Sequence, residues 1–192
     1  TDKNQKEILD EFSSKLEEIL KKESIAAIVT EAGIVTGGGS TAIAPDGFLK
    51  RVRELTNKYG TLLILDEVGT GFSRCGKLFA MELEGVTPDI VTFAKGISNG
   101  AFAMGAAVTT EEISQKTFDR TTLTSTFGWT PLGCAVCLGV LKIHLRDRVW
   151  EKAESTGQYM TSVLKEKLID NPNIVDINGK GMEIGVHLKE KN

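Results

Sequence analysis

Two apolar runs without polar alternation constrain this chain more than any other feature: Leu62-Leu63-Ile64-Leu65-Asp66-Glu67 and Asp89-Ile90-Val91-Thr92-Phe93-Ala94-Lys95. A strand that is apolar at successive residues suits a sheet covered on both faces, as parallel sheets between helices are. Each run also ends in charge. The first closes on the acids Asp66 and Glu67, the second on the amine of Lys95, followed at once by Gly96-Ile97-Ser98-Asn99-Gly100. Ligands of open α/β sheets gather beyond the carboxyl ends of the strands. A lysine there, facing a flexible Gly/Ser/Asn loop, is poised at a cleft.

The rest of the pattern agrees with an α/β fold. Ile8, Leu9, Phe12, Leu16, Ile19 and Leu20 recur at helical spacing and predict an amphipathic helix over residues 5–22. Ile25 to Glu31 reads as a buried strand, and Gly37-Gly38-Gly39-Ser40 as a loop. Pro45-Asp46-Gly47 opens a second helix with Phe48, Val52 and Leu55 on one face, and Gly60 fits its C-terminal cap. Strands are expected near 61–66, 89–94 and 103–109, so the sheet is mostly parallel and lies between helices. From Pro131 to Ile169 the pattern is helical, broken near Arg146-Asp147-Arg148. Its first part is apolar nearly all round and its second is amphipathic, which marks a boundary near residue 145. Residues 1–145 are expected to be one part of a large domain. Residues 146–192, with strands near 174–177 and 182–188, are expected to begin a small, truncated α+β domain.

Composition removes several functions. A net charge of -3 gives no reason to expect a nucleic-acid or membrane partner, and no apolar stretch is long enough to span a bilayer. Three cysteines make no disulfide framework, so a reducing, cytoplasmic setting is expected. Cys134-Ala135-Val136-Cys137 matches C-x-x-C but lies inside an apolar helical run, and His144 and His187 sit in unrelated contexts, so no metal site is expected. Gly71 to Lys77 matches the G-x-x-x-x-G-K of a phosphate-binding loop. Leu78, however, stands where the metal-binding hydroxyl belongs, and the acidic strand end leads directly into the loop on the same strand. Gly69, Gly71 and Gly76 have the wrong spacing for a dinucleotide fingerprint. What remains is an amine and a carboxylate at two strand ends. Pyridoxal phosphate needs such a pair: a lysine to form a Schiff base with its aldehyde, and a carboxylate near its ring nitrogen to favour the protonated ring.

Longer motifs carry a resemblance. Asp66-Glu67-Val68-Gly69-Thr70-Gly71-Phe72-Ser73-Arg74, Pro88 to Gly96, Ser125-Thr126-Phe127-Gly128 with Pro131, and Gly179-Lys180-Gly181-Met182 through Gly185 occur in this order. Together they resemble the class III pyridoxal-phosphate aminotransferases of fold type I, which act on ornithine, acetylornithine, 4-aminobutyrate, and alanine with glyoxylate. The resemblance implies that Lys95 carries the cofactor, that Asp66 pairs with its ring nitrogen, and that Val68 packs against its ring. It implies further that Thr126 donates to the phosphate from the neighbouring subunit of a homodimer, and that Glu31 stands near the active site. The implied reaction passes an amino group from an amino acid or amine to a 2-oxo acid. Aminomutation, amine elimination and decarboxylation remain open, as does a non-catalytic fragment kept for dimer or partner contacts.

This chain departs from the family at Gly69, where members often have Gln, and at Ala32, where proline is usual. It departs again at Thr36, where some members have a glutamate that gates a substrate-binding arginine, and at Trp129-Thr130, where Gly-Asn is commoner. The Thr36 departure argues against a substrate site of the ornithine or 4-aminobutyrate type. The family's Gly/Ser-rich phosphate cradle and ring-stacking aromatic are not in these 192 residues, so the chain is expected to be a piece of a longer enzyme, inactive alone.

Overall fold

A computed structural model describes residues 4–37, 41–118 and 125–189. Helix α1 (Gln5–Leu20) starts at a capping box, in which Asn4 accepts from the Glu7 N–H at 3.0 Å and Glu7 accepts from the Asn4 N–H at 3.3 Å. Strand β1 (Ala27–Glu31) follows, then a small hairpin of β2 (Ile34–Val35) and β3 (Ala42–Ile43), then α2 (Phe48–Lys58) and β4 (Leu62–Asp66). After a long loop come β5 (Ile90–Phe93), β6 (Ala106–Thr109) and the short helix α3 (Glu111–Phe118). Helices α4 (Pro131–Asp147) and α5 (Val149–Leu168) lead to the hairpin of β7 (Ile174–Lys180) and β8 (Glu183–Leu188).

The main sheet has four strands in the order β1-β4-β5-β6. β4 runs parallel to both β1 and β5, and only β6 is antiparallel. Asp89 pins the β4–β5 pair at its amino end, accepting from the Leu63 N–H at 2.7 Å and from Arg53 at 2.8 Å. Leu63, Leu65, Val91 and Phe93 are buried in the core with Leu49 and Val52 of α2, and Phe12 and Leu16 of α1 pack against them. The opposite face is less covered than the unalternated runs imply. Val29, on the same side as Glu31, is 68% exposed. Coverage on both faces is therefore incomplete among the described residues, and it is on this open face that Asp66 falls.

The hairpin of β2 and β3 was not foreseen because each strand is two residues long, and of the expected Gly37 to Ser40 loop residues 38–40 lie outside the described residues. Helix α3 was also missed. Its support is local, from Gln115 on Glu111 and Lys116 on Glu112, four residues apart. The break between α4 and α5 falls at Arg148, which adopts a left-handed φ of 46°.

The C-terminal hairpin is docked through glycines. A Cβ on Gly157 of α5 would lie 1.7 Å from the Gly181 carbonyl oxygen. The Met182 N–H donates to the Arg74 carbonyl at 2.8 Å, so the hairpin turn, α5 and the loop after β4 meet backbone to backbone. Gly157→Ala is expected to destabilise the fold by about 1–3 kcal/mol through overpacking. Urea unfolding checks this, and an unchanged midpoint would contradict the docking.

Candidate active site

The site grows from strand register. Glu31 of β1 pairs with Asp66 of β4, and Asp66 pairs with Thr92 of β5. Three neighbouring strand ends thus stand in one row, about 4.8 Å apart from strand to strand. Lys95 follows three residues beyond Thr92, in a single 3-10 turn over Lys95–Ile97. Its φ is 44°, the left-handed region that costs a residue with a Cβ about 1 kcal/mol or more. Phe72 (φ 53°), Ser73 (φ 69°) and Asn99 (φ 50°) share that region. Strain of this kind collects where a structure holds side chains for use.

Lys95 is exposed between two clefts of about 520 and 250 Å³. Arg74, Gly96 and Asn99 line both, and Val68 lines the smaller. The Asp66 carboxylate accepts from the Val68 N–H at 2.8 Å, which ties the acid to the residue next to the cleft. Glu31 is committed locally, its Oε1 accepting from the Thr36 N–H at 2.9 Å and the Thr36 hydroxyl at 2.7 Å. Two of the sequence departures prove to be one feature: a Cβ on Gly69 would lie 2.2 Å from the Thr36 hydroxyl. Thr36 fills the space that a side chain at position 69 would need.

Thr126 lines neither of the clefts that Lys95 lines. It sits exposed in the turn before α4, and its neighbours Ser125, Phe127 and Gly128 line a third cleft of about 630 Å³ against Ala103 to Ala107. The phosphate-loop match at Gly71 to Lys77 is followed by turns and a 3-10 helix over Ala80–Leu83, with no α-helix to complete such a motif.

Two parts of the site had no sequence signal strong enough to find them. Glu67 is fully buried and accepts from the Thr70 hydroxyl at 2.6 Å, the Ala80 N–H at 3.0 Å and the Met81 N–H at 2.7 Å. It was legible only as the second acid of a pair. Its carboxylate ties both ends of the loop that carries Val68 and Arg74. His144 of α4 shares a 2.7 Å hydrogen bond between its Nδ1 and the Ser73 hydroxyl, and burial lowers its pKa below the ordinary 6.5. This contact holds the same loop from the other side.

The mostly parallel sheet with its helices is a mixed α/β fold that matches solved aminotransferases. The model of the class III aminotransferase family matches residues 1–192. An (S)-enantioselective omega-transaminase from Thermomicrobium roseum is 38% identical over 97% of this chain and 42% of its own, with a TM-score of 0.85. An ornithine aminotransferase from Toxoplasma gondii, whose structure shows partial occupancy of pyridoxal phosphate at its active site, is 32% identical over 92% of this chain and 41% of its own, with a TM-score of 0.86. An acetylornithine aminotransferase from Elizabethkingia anophelis is 34% identical over 91% of this chain and 45% of its own, with a TM-score of 0.85. The chain belongs to the class III aminotransferase family. It spans less than half the length of each of these relatives.

Burial raises the Glu67 pKa above the ordinary 4.5, and its three donors oppose that rise only in part. The folded state therefore holds this proton more tightly than the unfolded state. The stability tied to it is full below 4.5 and is lost as pH rises through the folded value. Glu67→Gln is expected to abolish that slope. At acid pH it is expected to cost about 1–3 kcal/mol, because each carboxyl oxygen faces a backbone N–H and the amide would set its own NH2 against one of them. Unfolding free energy measured against pH checks both, and a variant that keeps the wild-type slope would contradict the assignment.

Proposed function

We propose that this chain is the lysine-bearing part of an aminotransferase that moves an amino group from an amino acid or amine to a 2-oxo acid, using pyridoxal phosphate. The observation that carries the reading is the row of strand ends Glu31, Asp66 and Thr92, with Lys95 just beyond it at two clefts. The residues present fit the cofactor: an amine, a carboxylate on the neighbouring strand, and an apolar Val68 lining the smaller cleft.

Bound pyridoxal phosphate supplies an aldehyde that condenses with amines and a protonated ring that accepts the electron pair left at the substrate's Cα. Lys95 Nζ is the protein's amine. With the cofactor bound, the same Nζ would hold the proton taken from the substrate's Cα. Asp66 would favour the protonated ring nitrogen through its negative charge. Val68, which lines the smaller cleft, would pack against the ring. Thr126, exposed in its own chain, would donate its hydroxyl and N–H to the cofactor phosphate of the other subunit in a homodimer. Glu31 shapes the edge of the site by holding Thr36. We place the division between the large and small domains near residue 145, close to the helix break at Arg148. The enzyme is proposed to be cytoplasmic, and among the described residues no helix is long and apolar enough to cross a membrane.

In the complete gene product, alanine formed from pyruvate and an amine donor measures the transfer. Lys95→Ala is expected to reduce it by at least about 100-fold, the lower range for loss of a positioned proton carrier. Asp66→Asn is expected to reduce it about 10- to 1000-fold, matching the one to three pKa units that a close opposite charge is worth. A Lys95→Ala enzyme with wild-type activity would refute the reading. Release of a carbonyl product or carbon dioxide without stoichiometric alanine would favour elimination or decarboxylation instead.

A further inference from the structure

The turn that carries Lys95 closes on Phe72. A Cβ on Gly96 would lie 2.8 Å from the Phe72 Cβ, so the two segments approach as nearly as a glycine allows. The Phe72 ring also meets Phe93, two residues before Lys95, in a T-shaped contact with centroids 5.5 Å apart. Lys95 and Phe72 both hold left-handed φ, 44° and 53°. For a bulky residue such a φ persists only where the surroundings impose it.

For Phe72 that constraint comes from α4. The His144 ring stands at 86° to the Phe72 ring, with centroids 6.0 Å apart. Its Nδ1 shares the 2.7 Å hydrogen bond with the hydroxyl of Ser73, the next residue along the loop. Ser73 is left-handed as well, at φ 69°. Its N–H donates to the Leu78 carbonyl and its carbonyl accepts from the Gly76 N–H, so its backbone is tied on both sides. Ser73 and His144 are buried, and with Phe72, Gly96 and Lys95 they line the smaller cleft. A buried hydroxyl and ring nitrogen are costly to leave unpaired, so the pair resists separation. One side chain of α4 thus grips two consecutive left-handed residues, and the first of them bears on the lysine's turn. Helix α4 packs on that Lys95–Ile97 turn too.

We propose that His144 is a positioning residue for Lys95: by bonding Ser73 and packing on Phe72 it fixes the backbone from which the Lys95 amine reaches the smaller cleft. It acts through Phe72 and Gly96 and need not touch cofactor or substrate. The inference rests on the aminotransferase reading above, in which Lys95 is the amine that captures pyridoxal phosphate.

The test measures how fast Lys95 captures pyridoxal phosphate in the complete enzyme stripped of cofactor. Samples are quenched with borohydride at set times and mapped by peptide mass, and Tm is measured for each variant. Ser73→Gly removes the hydroxyl but eases the left-handed backbone, so Tm is expected to stay close to the wild type. Capture is expected to slow about 10- to 100-fold, the loss that a misplaced reacting group brings. His144→Leu is expected to slow capture to the same extent. His144→Asn, whose amide can still bond to Ser73, is expected to recover most of the lost rate. Wild-type capture rates in Ser73→Gly and His144→Leu would overturn the proposal. So would capture that falls only in step with Tm, or a His144→Asn enzyme no faster than His144→Leu, since either result makes the histidine a packing element alone. A wild-type enzyme that captures no cofactor on Lys95 refutes the aminotransferase reading itself, and the inference with it.

Discussion

The parallel pairing of β4 with both β1 and β5 is the constraint on which the rest of this structure depends. Parallel strands all point their carboxyl ends the same way, so the pairing delivers Glu31, Asp66 and Thr92 to one edge in one row. It also sends the chain after β5 out over that edge, where Lys95 emerges. Asp89 guards this register from the far end, because its carboxylate joins the Leu63 N–H to Arg53. A shift of one residue would turn Asp66 to the buried face, where Leu63 and Leu65 now pack.

The loop after β4 is the second dependence. It has little regular structure, yet three contacts immobilise it: Glu67 inside, His144 against Ser73, and the docked turn of the C-terminal hairpin against Arg74. These contacts permit left-handed conformations at Phe72 and Ser73 that an isolated loop would not hold. The C-terminal hairpin thus helps to position the cleft around Lys95, although it contributes no residue to the strand-end row.

Much of this was legible in the sequence because it depends on local pattern. The helical spacing in residues 5–22, the unalternated runs at β4 and β5, and Gly60 closing α2 are all set by neighbours close in the chain. Lys95 and Asp66 were visible because strand ends are visible. The short strands β2 and β3 carry too few residues for a period to show. The burial of Glu67 arises from Ala80 and Met81, more than ten residues away, and nothing in Asp66-Glu67 says which acid turns inward. The coupling of Thr36 to Gly69 was likewise invisible, since each looked like an isolated departure until the fold placed them in contact. Thr126 shows the limit of a single chain, because its neighbours line a cleft that shares only Ala103 and Met104 with the larger Lys95 cleft.

The central claim is that Lys95, at the end of β5 and one strand from Asp66, is the amine that carries the cofactor. Borohydride reduction of the complete enzyme with pyridoxal phosphate, followed by peptide mass mapping, tests this most directly. A stable phosphopyridoxyl group is expected on the peptide containing Lys95 and on no other. A label on any other lysine, with Lys95 unmodified, would contradict it.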